Sequence, residues 1–265
     1  MPKTQLAING AAGRMGLRLI HLASTDSDLQ LAAAIELTSH PNTGKDSGIV
    51  AGGGENGIPF LDATDKHIDV LIDFSNPTGA EIALDFCLEN QCGLVMATTG
   101  LKESTIDRMK AGAGSIPIVW APNMSLAVNL TMKLAEITGK ALKNHSSGVD
   151  VEIIERHHRY KADAPSGTAL KFGEMIGNAM GISESRHGRE GMIGERPAKE
   201  IGYHAVRTGD DPGQHTIIFG MLGETIELRV AASNRDCYAS GALEAAKFLA
   251  HKSPGLYSMY DVLGI

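Results

Sequence analysis

One short segment, residues 155–169, contains the densest set of reactive side chains in the chain: two adjacent histidines, two arginines and a lysine. This cluster contrasts with the whole 265-residue chain, in which 24 basic residues against 31 acidic ones leave a net charge of -7. A compact positive field suits a small anionic substrate. A helix predicted to start at Ser166 adds free backbone N–H groups beside the Ser166 and Thr168 hydroxyls. The segment therefore predicts a carboxylate-binding site.

The two histidines of this segment cannot both contact one small ligand while the backbone is extended, because adjacent strand residues point to opposite faces. We expect one of His157 and His158 to contact the substrate and the other to support it. Lys161 lies in the predicted loop, where a flexible ammonium can reach a reacting carbon and act as a general acid. Metal binding is an alternative, but adjacent histidines lack helical i, i+4 spacing and no clear carboxylate partner adjoins them. A solvated basic loop is the other alternative.

A second candidate site lies near the N-terminus, where residues 9–16 space their glycines as G-x-x-G-x-x-G between a predicted strand and a predicted helix. Glycine in such a turn lets the backbone approach a pyrophosphate, which the free N–H groups of the helix start then face. Glu36 ends the next predicted strand about 20 residues later, where a carboxylate can accept hydrogen bonds from the adenosine ribose. Together these features predict a nicotinamide dinucleotide site. Leu37 lacks the basic group of an NADP-preferring site, so we expect NADH to serve at least as well as NADPH.

The elements that must position these motifs follow two patterns. Up to about residue 125, short apolar runs alternate with amphipathic stretches, as in parallel sheets with intervening helices. The expected strands are 4–9, 29–36, 68–74, 94–98 and 116–121, and the expected helices are 14–23, 79–90 and 103–111. Beyond this point, a long helix at 125–143 precedes strands at 149–156, 200–206, 215–219 and 225–231 and a helix at 166–180. A final helix at 239–250 could return to the first domain.

We therefore expect an α/β protein with two domains. A Rossmann-like dinucleotide-binding domain comprises residues 1–126 and 238–265, and an α+β domain with a mixed sheet, for substrate binding and oligomerisation, comprises 127–237. Two strand ends of the first domain, Thr98-Thr99-Gly100 and Ala121-Pro122-Asn123-Met124, could orient the nicotinamide, because ligands bind outside the carboxyl ends of parallel strands. Plain turns are the alternative for each.

Composition excludes several other classes of protein. The net charge of -7 argues against a nucleic acid partner, because basic side chains bind nucleic acid by displacing counterions from its phosphates. No apolar run approaches the ~20 residues of a membrane span, and the N-terminus lacks a secretory signal, so we expect a cytoplasmic protein. The three cysteines Cys87, Cys92 and Cys237 lack zinc-ligand spacing, so we expect reduced thiols and no metal.

The motifs closely resemble those of bacterial dihydrodipicolinate reductases of the diaminopimelate route to lysine, in identity and in order. The resemblance covers nearly the whole chain and rests on residues 10–16, 72–75, 98–100, 122–123, 155–169 and 212–216. It implies hydride transfer from NADH or NADPH to carbon 4 of a cyclic unsaturated dicarboxylate derived from 4-hydroxy-tetrahydrodipicolinate, with loss of water. It also implies a homotetramer assembled through the sheet of the second domain, with domains that close over bound ligands.

The resemblance implies residue roles as well. His157 is the implied acid/base residue and Lys161 the implied proton donor. The implied substrate-binding residues are His158, Gly167 and Thr168, to which the predicted helix start adds Ser166. The implied cofactor-binding residues are Gly10, Ala11, Ala12, Gly13, Arg14, Met15, Glu36, Ala97, Thr98, Thr99, Ala121, Pro122, Asn123 and Met124.

Three positions depart from the better-known family pattern. Leu37 replaces a basic residue, and Asn76 stands where an arginine often lies near the 2′-phosphate, so a preference for NADPH is in doubt. Ala97 replaces the glycine usual before the two threonines, which leaves a backbone contact possible. Two other functions stay open: a different two-domain NAD(P)-dependent reductase of a small carboxylate, and a nucleotide-binding relative that has lost catalysis.

Overall fold

The computed structural model describes residues 2–265 as two compact units. The strands are β1 Thr4–Asn9, β2 Leu29–Ile35, β3 Phe60–Leu61, β4 Val70–Asp73, β5 Gly93–Met96, β6 Pro117–Trp120, β7 Asp150–His157, β8 Glu184–His187, β9 Glu200–Arg207, β10 Gln214–Met221, β11 Glu224–Ala231 and β12 Gly255–Tyr257. The helices are α1 Arg14–Ala23, α2 Ser47–Val50, α3 Pro77–Asn90, α4 Glu103–Gly112, α5 Leu126–Leu142, α6 Gly167–Met180, α7 Asp236–Leu249 and α8 Met259–Leu263.

The first unit contains the chain up to Leu126 together with Arg235–Ile265, and the second unit is Ala127–Asn234. The chain re-enters the first unit at residue 235 rather than at 238, because α7 begins at Asp236 and belongs to the first unit from its start. Among residues 2–265, no helix has the length and apolar character required to cross a membrane.

The first unit is built on a seven-stranded sheet in the order β12-β6-β5-β4-β1-β2-β3. All of its strand pairs are parallel. Strands β4 and β5 are buried along their whole length, which explains their continuous apolar sequences. The chain winds from β1 to β2 on one side and places β4 on the other, so a topological switch point lies between β1 and β4. Ligands of such sheets bind at the carboxyl ends of the strands beside this point.

Helix α7 completes the core of the first unit. Its residues Ala242, Ala245 and Ala246 are fully buried in the same apolar cluster as β1 and β4. A side chain at Gly241 would place its Cβ 1.8 Å from the carbonyl oxygen of Met124, so only glycine lets the helix approach this backbone. Helix α7 thereby supports the segment that follows β6.

The second unit has a five-stranded mixed sheet in the order β11-β10-β7-β9-β8. Strand β7 is parallel to β9 and antiparallel to β10. Along β7, Val151, Ile153, Glu155 and His157 alternate with more exposed residues and form the buried face. The first two pack in one cluster with Phe172 of α6. Strand alternation therefore directs Glu155 and His157 toward the interior of the unit. The parallel sheet and the separate mixed sheet confirm the predicted fold class.

Candidate active site

The glycine turn of the first unit joins β1 to α1 through close backbone contacts. Gly10 has φ +71°, and a Cβ there would lie 3.0 Å from the Cα of Ser75. A Cβ on Gly16 would lie 2.4 Å from the carbonyl oxygens of Gly10 and Ala11. Both positions exclude a side chain, and Gly13 is the N-cap of α1. The backbone of the turn is therefore open to close approach by a ligand, with the positive end of α1 beside it, which is the arrangement that anion sites at helix N-termini use.

Glu36 lies beside this turn. Its Oε2 atom accepts a hydrogen bond from the backbone N–H of Ala12 at 3.0 Å, and its Oε1 atom accepts one from the N–H of Leu37 at 2.9 Å. The structure thus brings together the acid and the glycine turn, which are separated in sequence. The Leu37 side chain is 62% exposed, Arg14 is exposed and Met15 is half-buried.

The remaining predicted cofactor residues follow the carboxyl ends of β5 and β6. Ala97 and Thr98 are buried after β5 and Thr99 is exposed; after β6, Ala121 and Met124 are buried, Asn123 is half-buried and Pro122 is exposed. The Oδ1 atom of Asn123 accepts a hydrogen bond from the N–H of Ser125 at 2.9 Å. All predicted cofactor residues therefore lie at the carboxyl edge of one parallel sheet.

Asp73 lies at the end of β4 and connects the carboxyl ends of β1, β4 and β5. No role was predicted for it from the sequence. Its carboxylate is fully buried and accepts hydrogen bonds from Asn9 Nδ2 at 2.7 Å, Ser75 Oγ at 2.6 Å and Thr98 Oγ1 at 2.5 Å. Burial raises the pKa of this carboxyl group, although the three hydrogen bonds oppose the shift. Asp73 could have been identified from the sequence as an acidic residue at the end of a continuous apolar strand, the pattern of a strand buried on both faces.

In the second unit, His157 forms a buried pair with Glu155. The Nδ1 atom of His157 lies 2.5 Å from Glu155 Oε2. Within residues 2–265, the Nε2 atom has no hydrogen-bond partner. Burial lowers the pKa of His157, while Glu155 acts to raise it and the charges of Lys161 and Arg207 act to lower it further. The imidazole is therefore held closer to its neutral form, with Nε2 available to a ligand.

Arg207, on the neighbouring strand β9, contacts the Glu155 carboxylate of this pair. Its Nη1 and Nη2 atoms each lie 2.8 Å from one Glu155 oxygen, and its Nη2 also donates to the carbonyl oxygen of Asp163 at 2.6 Å. Glu155 Oε1 accepts a further hydrogen bond from the backbone N–H of Ser166 at 3.1 Å. A single buried carboxylate therefore connects His157, Arg207 and the start of α6. Neither Glu155 nor Arg207 was predicted from the sequence.

Lys161 forms an ion pair within the segment. Its Nζ atom lies 2.8 Å from Asp163 Oδ1. This contact lowers the pKa of Asp163. A second cation of the segment, Arg156, pairs with Asp211 at 2.7 Å. The local positive field is therefore smaller than the sequence predicts, because these cations have carboxylate partners.

The other predicted substrate residues lie at the same end of the second unit. The backbone N–H of His158 donates to the carbonyl oxygen of Asp211 at 2.8 Å, and the His158 Nδ1 atom is buried without a partner in the described part of the chain. Gly167 is exposed and Thr168 is half-buried in the first turn of α6. An orphaned buried nitrogen is a feature that a polar ligand can complete.

Ser166 has a different environment from the one predicted. Its side chain is buried, and its Oγ atom accepts a hydrogen bond from Ala169 N–H at 3.1 Å as the N-cap of α6. The same oxygen lies 3.1 Å from His215 Nε2. Burial lowers the pKa of His215 to about 4. The His215 ring meets His157 edge to face, with 5.3 Å between the ring centroids. Ser166 and His215 thus pack behind the Glu155–His157 pair.

The two units together define a class of protein. A parallel sheet with a glycine turn after β1 and an acid after β2 is typical of domains that bind nicotinamide dinucleotides, and histidine and lysine, which the mixed-sheet unit carries, are residue types that transfer protons in enzymes. The fold and the site are those of a two-domain NAD(P)-dependent oxidoreductase.

Comparison with known proteins gives the family. The models described as dihydrodipicolinate reductase, N-terminus and C-terminus, match residues 4–124 and 127–263. The chain is 56% identical over 269 residues to 4-hydroxy-tetrahydrodipicolinate reductase of Rhodopirellula baltica, an alignment that covers 98% of this chain and 96% of that protein. It is 44% identical over 268 residues to the protein of the same name from Alkalilimnicola ehrlichii, with 99% of each chain covered. The chain therefore belongs to the dihydrodipicolinate reductase family.

A solved structure shows the same fold. The dipicolinate-bound dihydrodipicolinate reductase from Paenisporosarcina sp. TG-14 superposes with a TM-score of 0.78, at 24% identity and with 98% of both chains covered. The two-domain fold is therefore retained even where most residues differ.

Proposed function

We propose that this protein reduces 4-hydroxy-tetrahydrodipicolinate to tetrahydrodipicolinate in the diaminopimelate route to lysine. One observation carries the proposal: the relative of that name is 56% identical across 98% of this chain. The arrangement of His157, Lys161 and the α6 start in one unit gives the chemical reason. A basic histidine nitrogen, an ammonium and free helix N–H groups match the needs of a dicarboxylate that must lose water and gain a proton.

The first unit is the proposed cofactor site, and its glycine turn fits a dinucleotide because side chains are excluded at Gly10 and Gly16. The backbone of the turn and the N-terminus of α1 would hold the pyrophosphate, and Glu36 would hold the adenosine ribose. The segments after β5 and β6 would orient the carboxamide. When bound, the reduced nicotinamide supplies the hydride.

The second unit is the proposed dicarboxylate site. Asp163 now pairs with the Lys161 ammonium, and a substrate carboxylate would compete with it for this cation. His158 and Thr168 would contact the same ligand. His157 Nε2 is the proposed acid/base atom for the loss of water. Lys161 Nζ would deliver a proton to the ring carbon adjacent to the one that receives the hydride.

We also propose that this protein uses NADH at least as well as NADPH. We further propose that it is a cytoplasmic homotetramer, in which the sheet of the second unit mediates oligomerisation. Asn76 supports the cofactor proposal, because its Oδ1 atom caps α3 by accepting hydrogen bonds from Thr78 N–H and Gly79 N–H, both at 3.1 Å. A capping asparagine and the exposed Leu37 offer no cation to a 2′-phosphate. The proposed partners are the dicarboxylate and other copies of this chain, without nucleic acid or membrane.

Turnover of freshly generated substrate tests the proposal. Pyruvate and aspartate semialdehyde are condensed by the preceding synthase, and oxidation of NADH and of NADPH by the purified protein is followed by absorbance. We expect oxidation that requires both the protein and the condensation product. Absence of oxidation with either cofactor would contradict the proposed function.

A further inference from the structure

We propose that Glu155 and Arg207 act together as positioning residues that fix the tautomer and the charge state of His157. Glu155 is buried and Arg207 is half-buried, and both act through the imidazole and the segment that follows it. The inference rests on the proposed function for its kinetic consequences, but its physical content concerns only the state of His157. In the parallel pairing of β7 with β9, Arg207 lies opposite His157.

The carboxylate determines where the imidazole proton lies. Burial acts against ionisation of Glu155, but hydrogen bonds from Arg207 and His157 outweigh it and lower the pKa of Glu155. An ionised carboxylate has no proton and can only accept hydrogen bonds. The His157 Nδ1 atom, 2.5 Å from Glu155 Oε2, must therefore carry the proton. In the neutral ring, Nε2 is then left with a free electron pair, which is the form required of a base.

Arg207 determines how strongly Glu155 attracts a second proton to the ring. A buried carboxylate beside a histidine favours the imidazolium, whose charge would remove the basic electron pair from Nε2. Arg207 contacts both oxygens of Glu155 at 2.8 Å and neutralises it. The other charged or titratable groups that face His157 are Lys161 of the loop and His215 of β10. Lys161 opposes a second cation, and burial disfavours the charged form of His215.

The same pair also holds the part of the β7–α6 segment that leads into α6. Arg207 Nη2 donates to the carbonyl oxygen of Asp163 at 2.6 Å, and Ser166 N–H donates to Glu155 Oε1 at 3.1 Å. Lys161 lies within the segment that these two hydrogen bonds restrain. Glu155 and Arg207 therefore fix both the proton on His157 and the path of the loop that carries the proposed proton donor.

The test measures His157 directly by nuclear magnetic resonance of protein labelled in histidine with ¹³C and ¹⁵N. The His157 signals are assigned by their loss in His157→Gln. In the wild type we expect the neutral ring to carry its proton on Nδ1. Arg207→Gln should raise the pKa of His157 by about one unit, and Glu155→Gln should lower it by a similar amount, since a nearby opposite charge shifts a pKa by about 1–3 units.

The pH profile of kcat/KM provides the second measurement. The acid limb should move to higher pH in Arg207→Gln and to lower pH in Glu155→Gln, so the two variants shift it in opposite directions. A one-unit shift corresponds to an approximately tenfold change in the neutral fraction of His157 on that limb. A purely structural role of the pair would lower activity in both variants without opposite shifts.

Arg189→Gln is the matched control. Arg189 makes the same two-point contact with Glu152 on the same sheet, with nitrogen-to-oxygen distances of 2.9 and 2.7 Å. It has no contact with His157 among the described residues. Loss of this pair tests the cost of breaking a half-buried arginine–glutamate contact, and the His157 pKa should stay at its wild-type value.

Two results would overturn the inference: a wild-type His157 protonated on Nε2, or substitutions that fail to move its pKa in opposite directions. If a variant does not fold, the wild-type tautomer alone decides the question. If the protein fails to turn over the proposed substrate while the NMR shifts occur, the proposed function is wrong and the inference about His157 stands.

Discussion

His215 is expected to make the stability of the second unit depend on pH in mildly acidic solution. Its ring is 5% exposed and packs against His157 and Phe172. Burial lowers its pKa from 6.5 to about 4. One pKa unit corresponds to about 1.4 kcal/mol. Protonation of His215 in the unfolded chain, while His215 in the folded chain stays neutral, would therefore lower the free energy of unfolding by about 3 kcal/mol.

The sign of this effect follows from the two pKa values. Above pH 6.5, His215 is neutral in both the folded and the unfolded chain and makes no pH-dependent contribution. As the pH falls from 6.5 to about 4, the unfolded chain binds a proton and the folded chain does not, so the free energy of unfolding decreases. His157 acts in the same direction, because burial lowers its pKa too. The pKa of Glu152 is lowered from 4.5 to about 2, so its contribution to stability is lost only as the pH falls below 4.5.

Urea unfolding measured at a series of pH values between 6.5 and 4.5 isolates His215 from this carboxylate. The substitution His215→Gln keeps an amide near Ser166 Oγ but cannot titrate. On acidification through this range, the wild type should lose about 2 kcal/mol more than the variant. His145→Gln, an exposed position of the same unit, should keep the wild-type pH dependence. Equal pH dependence in the wild type and His215→Gln would refute this account of the buried histidine.

Three further predictions concern the proposed reaction. Lys161→Ala should lower kcat by ~10²–10⁴-fold, because acid catalysis contributes that much, while the Kd for NADH measured by fluorescence stays unchanged; full turnover would exclude Lys161 as proton donor. Gly213→Ala should lower kcat/KM by up to ~10²-fold, because the new Cβ would lie 2.8 Å from His157 Nε2 and must displace the ring; unaltered kinetics would contradict this. Wild-type kcat/KM should be at least as high with NADH as with NADPH, and Leu37→Arg combined with Asn76→Arg should raise the NADPH value by about tenfold or more. A strong wild-type preference for NADPH would refute the cofactor prediction.

Much of the fold could be predicted from local pattern. The buried strands β4 and β5 are continuous apolar runs, and the glycine turn marks the junction of β1 and α1. Two of the three strands that were not predicted, β3 and β8, lack such a signal. Strand β3 has two residues, and all four residues of β8 are exposed, so neither shows apolar alternation. These edge strands are defined by pairing with β2 and β9 rather than by their own sequence.

The candidate site was predictable in its parts but not in its pairing. Local sequence identified His157, Lys161 and the start of α6. The Glu155–Arg207 contact joins residues 52 positions apart and depends on the parallel register of β7 and β9. Hydrophobic patterns do not specify that register from one sequence. No role was therefore assigned to Glu155 or Arg207 from the sequence.

Transfer of deuterium from NADH labelled at carbon 4 of the nicotinamide tests the central claim most directly. The substrate is generated from pyruvate and aspartate semialdehyde, and the product is analysed by NMR and mass spectrometry with cofactor labelled separately on each face of the ring. Hydride transfer predicts that one of the two labelled cofactors places a single deuterium on carbon 4 of tetrahydrodipicolinate. A reduced product without deuterium at carbon 4 from either cofactor would contradict the account.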